Sequence, residues 1–119
     1  MAKLTIGCLS SLVGSMSLDF AMKLAEAVSK KGHDVDIWLS GNGTSLVKAG
    51  QKKFLDYPYH GARLKNLLDS GVVVTACEAC SEARGIHKKD ITEGVNVKAM
   101  DWYLASMFGA DRVLHIGGE

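Results

Sequence analysis

The chain has 119 residues, of which 47% are hydrophobic and 23% are charged, and its 14 basic and 13 acidic residues leave a formal charge of +1. These values predict one globular domain, residues 1–119, with a single core, and they exclude an intrinsically disordered chain. The lack of a basic block argues against nucleic acid as a partner. No stretch reaches the ~18 consecutive apolar residues of a membrane span, so a membrane partner is not expected either.

Cysteine usage predicts a reducing compartment. Three cysteines with a single proline do not resemble a disulfide-stapled secreted domain. The apolar stretch Leu4–Leu9 is broken by Ser10 and Ser11, which argues against a signal peptide. We therefore expect a cytoplasmic protein whose cysteines are free for chemistry.

The first third of the chain reads as strand, helix and strand. Lys3–Cys8 is predicted to be a strand and is followed by a loop of small residues, Ser10–Ser17, whose last residue is the expected N-cap. Apolar residues then recur at helical spacing over Leu18–Lys31. A second strand is predicted at Val35–Leu39, after the glycine that ends this helix.

The middle of the chain contains one long connection. A turn at Gly41–Gly43 opens a stretch from Thr44 to Pro58, for which we expect one short helical turn near Leu46. A helix is predicted over Tyr59–Asp69, and the β-branched run Val72–Ala76 is predicted to be a buried strand.

The last third begins with a short helix over Glu78–Arg84 and a very short strand at Val95–Val97. A helix over Lys98–Gly109 and a final strand over Arg112–Ile116 complete the pattern. The inward residues expected for that last helix are Met100, Tyr103, Leu104, Met107 and Phe108.

This alternation predicts an α/β fold, a three-layer sandwich with a mostly parallel sheet of about five strands, of the flavodoxin-like or Rossmann-like kind. Sites in such sheets form outside the carboxyl ends of the strands. The residues expected at that edge are Cys8, Gly41–Gly43, Cys77 and Gly117-Gly118.

Cys77 is the candidate catalytic residue. It stands where the predicted strand Val72–Ala76 gives way to a helix, and the unpaired N–H groups of a helix start favour a thiolate. The dipole of that helix predicts that the pKa of Cys77 is lowered by about one unit or less. The neighbouring Glu78 opposes this effect, and Arg84 is expected to lie too far away to help directly. A buried structural cysteine is the alternative.

Cys80 follows three residues later on the same predicted helical face, so it is a second candidate catalytic residue. The C-x-x-C spacing allows a thiol–disulfide redox pair, although its place in the second half of the chain is unlike that of thioredoxin. The other interpretation is that Cys80 is only a small residue on the face of the helix, without a chemical role. We also weighed a metal site made of Cys8, Cys77, Cys80 and His87, but no second C-x-x-C or spaced histidine pair supports it. Nucleotide-binding glycine motifs are missing as well, and we expect no metal and no cofactor.

The segment Val74–Ile86, with Cys77 at the end of an apolar strand and Arg84-Gly85 closing a short helix, resembles the DsrE/DsrF-like family, which includes TusD-like sulfur relay subunits. The turn Lys31-Gly32-His33 and the sequence Ala110-Asp111-Arg112 before the last strand are similar to that family as well.

This resemblance implies a sulfur carrier or sulfurtransferase that accepts sulfane sulfur as a persulfide on Cys77 and passes it to a partner. It implies sulfur donor and acceptor proteins as partners, and a homo- or hetero-oligomer, a trimer or hexamer. Cys8 and Cys80 are not required by the family pattern. A non-catalytic assembly or ligand-binding subunit, with Tyr57, Tyr59 and Trp102 at an interface, remains the alternative, together with the redox pair.

Overall fold

The computed structural model describes residues 1–11, 16–56 and 59–117. The described residues do not include most of the loop predicted after the first strand, nor do they include Tyr57, Pro58 and Gly118. The strands are β1 (Lys3–Cys8), β2 (Asp34–Leu39), β3 (Val73–Cys77), β4 (Asn96–Lys98) and β5 (Arg112–Ile116). The α-helices are α1 (Met16–Lys30), α2 (Gly61–Asp69), α3 (Glu78–Ala83) and α4 (Met100–Phe108), and two 3₁₀ helices span Gly41–Val47 and Lys88–Asp90.

The five strands form one sheet in the order β4-β3-β2-β1-β5, and every neighbouring pair is parallel. The predicted α/β sandwich with a parallel sheet is therefore confirmed. The chain runs outward from β1 to β4 and then returns to the far side of β1. Right-handed crossovers in these two directions place helices on opposite faces of the sheet.

Helices α1 and α2 cover one face. Their buried residues, Leu18 and Leu64 among them, pack against Ile6, Ile37 and Val74 from the three central strands. The apolar spacing predicted for α1 is confirmed, because Leu18 and its helical repeats are the residues that are buried. The helix begins at Met16, however, so the expected N-cap Ser17 lies inside its first turn.

Helix α4 covers the opposite face. Ser106 donates a hydrogen bond of 2.7 Å to Oδ2 of the buried Asp36, and its Oγ lies 2.8 Å from Oγ1 of Thr5. Nζ of Lys3 lies 2.9 Å from the same Asp36 oxygen. A carboxylate buried in this way needs such partners, because its desolvation is otherwise strongly unfavourable. The network fixes α4 to β1 and β2.

The inward residues predicted for α4 are partly wrong. Tyr103 and Ser106 are the buried positions, whereas Met100, Leu104 and Phe108 are 51%, 46% and 90% exposed. These three follow one another at intervals of four residues, so they form a second apolar stripe on the outer side of the helix. Apolar periodicity alone could not show which of two stripes meets the sheet.

No helix within residues 1–11, 16–56 and 59–117 is long and apolar enough to cross a bilayer.

Gly7 in β1 gives Tyr103 the room to lie on the sheet. A Cβ added at Gly7 would stand 2.2 Å from Oη of Tyr103 and 2.8 Å from Nδ1 of His115. We expect Gly7→Ala to lower the free energy of unfolding by about 1–3 kcal/mol, because buried Tyr103 cannot move without disturbing its aromatic stack. Urea unfolding measures the change.

Gly109→Ala is the matched control, since its added Cβ would meet only ordinary contacts, the nearest at 3.6 Å. Equal stability of Gly7→Ala and the wild type would contradict the tight packing of α4 on β1.

Candidate functional site

Cys77 is the last residue of β3 and the N-cap of α3, with φ −67° and ψ 122°. The predicted strand-to-helix junction is therefore confirmed. Cys8, Gly41–Gly43 and Gly117 lie at the same carboxyl edge, as expected for parallel strands, while the register partner of Cys77 itself is Lys98 on β4. Cys77 thus stands where sites form in this class of fold.

Aromatic side chains share a buried cluster with Cys77 on the α4 face of the sheet. Cys77 is 8% exposed and shares a buried cluster with Trp38 and Tyr103. The Trp38 ring stacks on Tyr103 at 5.4 Å between centroids and on Trp102 at 6.0 Å. We call these three rings the aromatic wall. It makes the surroundings of the thiol apolar and leaves the sulfur only a narrow exposure to solvent.

Burial raises the pKa of the Cys77 thiol above its ordinary value. Hydrogen bonds from the backbone N–H groups of Cys80 and Ala79 act in the opposite direction, while the Cys80 side chain raises the pKa further. The expected lowering of this pKa is therefore wrong in sign. The sequence located the helix start correctly but could not show how deeply the aromatic wall buries the sulfur.

Cys80 lies one helical turn after Cys77 and is partly exposed. Its side chain packs against the buried cluster that contains Cys77, and both its N–H and its side chain act on the pKa of the Cys77 thiol. The two candidate catalytic residues are therefore brought together. Neither forms a disulfide in this structure.

Arg84 anchors the short helix without touching a thiol. Its Nη1 donates to the carbonyl oxygen of Cys80 at 3.1 Å, and its Nε donates to Oδ1 of Asn42 at 3.1 Å. Arg84 thus ties α3 to the 3₁₀ helix Gly41–Val47, in which the helical turn expected near Leu46 is found. This agrees with the expectation that its charge would give Cys77 no direct help.

Cys8 belongs to the other face of the sheet. It is fully buried in the core beneath α1 and α2, and burial raises the pKa of its thiol. His87 lies outside α3, where its Nδ1 is 2.6 Å from Glu82. In the part of the chain that the structure describes, no three potential ligands come together as a metal site would require. The weighed set Cys8, Cys77, Cys80 and His87 is thus not assembled.

The other histidines lie away from Cys77. His60 is buried at the start of α2, on the opposite face, and burial lowers its pKa. His115 is exposed on the edge strand β5, with Nδ1 3.4 Å from Oη of Tyr103. His33 accepts a hydrogen bond from the Ala2 N–H. None of them is positioned as a base for the thiol.

Sequence reasoning missed the aromatic wall. Trp38 lies two residues after Asp36 along β2, so both side chains point to the same face of the sheet, the one opposite the main core. Tyr103 was expected inward, but Trp102 was assigned to an interface. The available signal was the strand alternation, which shows that Trp38 and Cys77 share a face only once the register of β2 and β3 is known.

Replacing Cys80 should change the titration of Cys77. We expect Cys80→Ala to lower the Cys77 pKa, because the variant removes the hydrogen bond and the charge repulsion with which the Cys80 side chain raises it. Since the thiolate is the reactive form, the rate of alkylation at Cys77 should rise at lower pH than in the wild type. Peptide-resolved mass spectrometry after timed iodoacetamide labelling measures this rate.

Cys8→Ala is the control, because Cys8 lies on the other face and should leave the Cys77 profile unchanged. A Cys80→Ala profile that stays in place, or moves to higher pH, would contradict the contact between the two thiols.

Comparison with known proteins identifies relatives of the whole fold. The crystal structure of the ychN protein from E. coli matches with a TM-score of 0.89 and 26% sequence identity, over 97% of this chain and 99% of that chain. A protein of unknown function from Methanobacterium thermoautotrophicum, 12% identical over 96% of this chain and 99% of its own, has a TM-score of 0.77 and shares the fold.

Sequence comparison agrees with these structural matches. An uncharacterised protein of Methanocaldococcus jannaschii is 31% identical over 94 residues, which cover 79% of this chain and 82% of the relative. The sequence model of the DsrE/DsrF-like family matches residues 3–116. The chain therefore belongs to the DsrE/DsrF-like family, which includes sulfur relay proteins.

Proposed function

We propose that the chain is a sulfur carrier that accepts sulfane sulfur as a persulfide on Cys77 and passes it to a partner protein. The observation that carries this proposal is the position of the Cys77 sulfur, at the carboxyl edge of the sheet and within hydrogen-bonding reach of the Ala79 and Cys80 N–H groups. Those donors favour an anionic sulfur, whether thiolate or persulfide.

The loading step is an exchange between sulfur atoms. The Cys77 thiolate attacks the outer sulfur of a donor persulfide, a bond forms between Cys77 Sγ and that sulfur, and the donor cysteine leaves as a thiolate. Delivery to the acceptor repeats the exchange in the other direction. No external oxidant or reductant is needed, because the sulfane sulfur keeps its oxidation state.

Burial of Cys77 supports a carrier rather than a general thiol reagent. At 8% exposure and with a raised pKa, the resting thiol is mostly protonated near neutral pH and reacts slowly with small oxidants. A donor that docks at the carboxyl edge and excludes water would place its persulfide directly against the thiol. We propose sulfur donor and acceptor proteins as these partners, in the reducing cytoplasm.

Mass spectrometry of the loaded protein tests the proposal. After incubation with excess inorganic polysulfide at mildly alkaline pH, which enlarges the thiolate fraction of Cys77, and brief trapping with N-ethylmaleimide, wild type should show one added sulfur atom on Cys77 at early times. Cys77→Ser should retain much less sulfur, because Cys8 is fully buried and a persulfide on the more exposed Cys80 is open to exchange with thiols in solution.

Cys8→Ala is the matched control and should load like the wild type. Equal loading of Cys77→Ser and wild type, or no loading of either, would refute Cys77 as the carrier.

An assembly role is supported by a separate observation, the outer apolar stripe of α4. We propose that Met100, Leu104 and Phe108 pack against a second copy of this chain. Val113 on the edge strand β5 is 41% exposed and is the register partner of Thr5, so it extends this apolar surface along the α4 face. A closed ring, a trimer or hexamer, would cover the stripe in every subunit.

A charge in the stripe should weaken the assembly. We expect Leu104→Glu to shift the mass measured by light scattering towards the monomer, because a buried unpaired carboxylate opposes association. Asn66→Glu places the same charge on an exposed position of α2 and should leave the mass unchanged. A wild type that is already monomeric at micromolar concentration would contradict the interface.

A further inference from the structure

Two thiols lie one helical turn apart at one site, although a carrier that only passes sulfur between partners needs one. Cys80 lies one turn from Cys77, packs against the same buried cluster as the Cys77 side chain, and is the more exposed of the two. The third cysteine, Cys8, is on the other face of the sheet and fully buried. The arrangement therefore offers Cys77 one nearby nucleophile from its own chain.

We infer that Cys80 is a resolving thiol that displaces the sulfane sulfur from Cys77 as hydrosulfide and closes a Cys77–Cys80 disulfide. This gives the chain a second activity, the reductive release of sulfide. The inference rests on the proposed function, because it requires that Cys77 first carries a persulfide.

The step balances within the protein. The Cys80 thiolate attacks Cys77 Sγ, the bond between the two Sγ atoms forms, and the bond from Cys77 Sγ to the outer sulfur breaks. The outer sulfur keeps its proton, takes the electron pair and leaves as HS⁻. The sulfane sulfur is reduced to sulfide and the two thiols are oxidised to the disulfide. A dithiol reductant must then reopen the disulfide before the next cycle.

The local structure holds Cys80 in place for this attack. The Nη1 group of Arg84 binds the Cys80 carbonyl oxygen, and the N–H groups of Arg84 and Ile86 both bond to the carbonyl oxygen of Ser81. The turn that carries Cys80 is therefore fixed from both sides. An attacking group held in contact with its target has a high effective concentration, so displacement can compete with transfer to a partner.

Timed trapping separates the two thiols. Each reduced protein, freed of reductant under argon, is mixed with inorganic polysulfide, quenched with N-ethylmaleimide at successive times and analysed by intact and peptide mass spectrometry. The wild type should pass through a Cys77 persulfide to the Cys77–Cys80 disulfide, with no sulfur retained. In Cys80→Ser the Cys77 persulfide should persist at least about tenfold longer.

Cys80→Ala is a second variant with the same expectation, and Cys8→Ala should behave like the wild type. If the wild type retains its persulfide as long as Cys80→Ser does, the resolving role is overturned while the carrier function stands. If neither protein gains sulfur on Cys77, both proposals fail.

Discussion

The attachment of helix α4 to one face of the sheet determines the surroundings of Cys77 and the position of the outer apolar stripe. Helix α4 covers the face opposite α1 and α2, and the buried Asp36 holds it there through Ser106 and Lys3. A carboxylate in that position is stable only while its partners stay, so the network fixes where the helix lies. The position of Tyr103 above Gly7, and with it the aromatic wall, follows from this placement.

The same placement gives Cys77 its chemical character. The end of a parallel strand supplies N–H donors that favour an anionic sulfur, whereas the aromatic wall removes water and disfavours it. Burial is the larger effect, so the pKa of Cys77 is raised. A thiol with a raised pKa is mostly protonated near neutral pH, which is compatible with the proposed role as a sulfur carrier that is loaded by a docked partner.

The outer side of α4 carries apolar residues as well. A helix whose apolar residues lie on both sides is typical of one that is buried on both sides. The sheet occupies one side through Tyr103 and Ser106, and the exposed stripe of Met100, Leu104 and Phe108 is the surface that we propose a second copy covers. An assembly built through α4 would form close to the layer that shields Cys77, which connects the proposed interface with the proposed chemistry.

The sequence by itself determined the order of strands and helices, the parallel sheet, and the position of Cys77 at a strand-to-helix junction, because these depend on local periodicity and on glycines that end helices. The family resemblance seen around Cys77 depends on the same local pattern and is confirmed. Only the tertiary structure decided which stripe of α4 faces the sheet, that Trp38 and Tyr103 bury the thiol, and that its pKa is raised. These properties depend on the register between strands that are distant in sequence and on the depth of packing, and neither can be determined from a local sequence pattern.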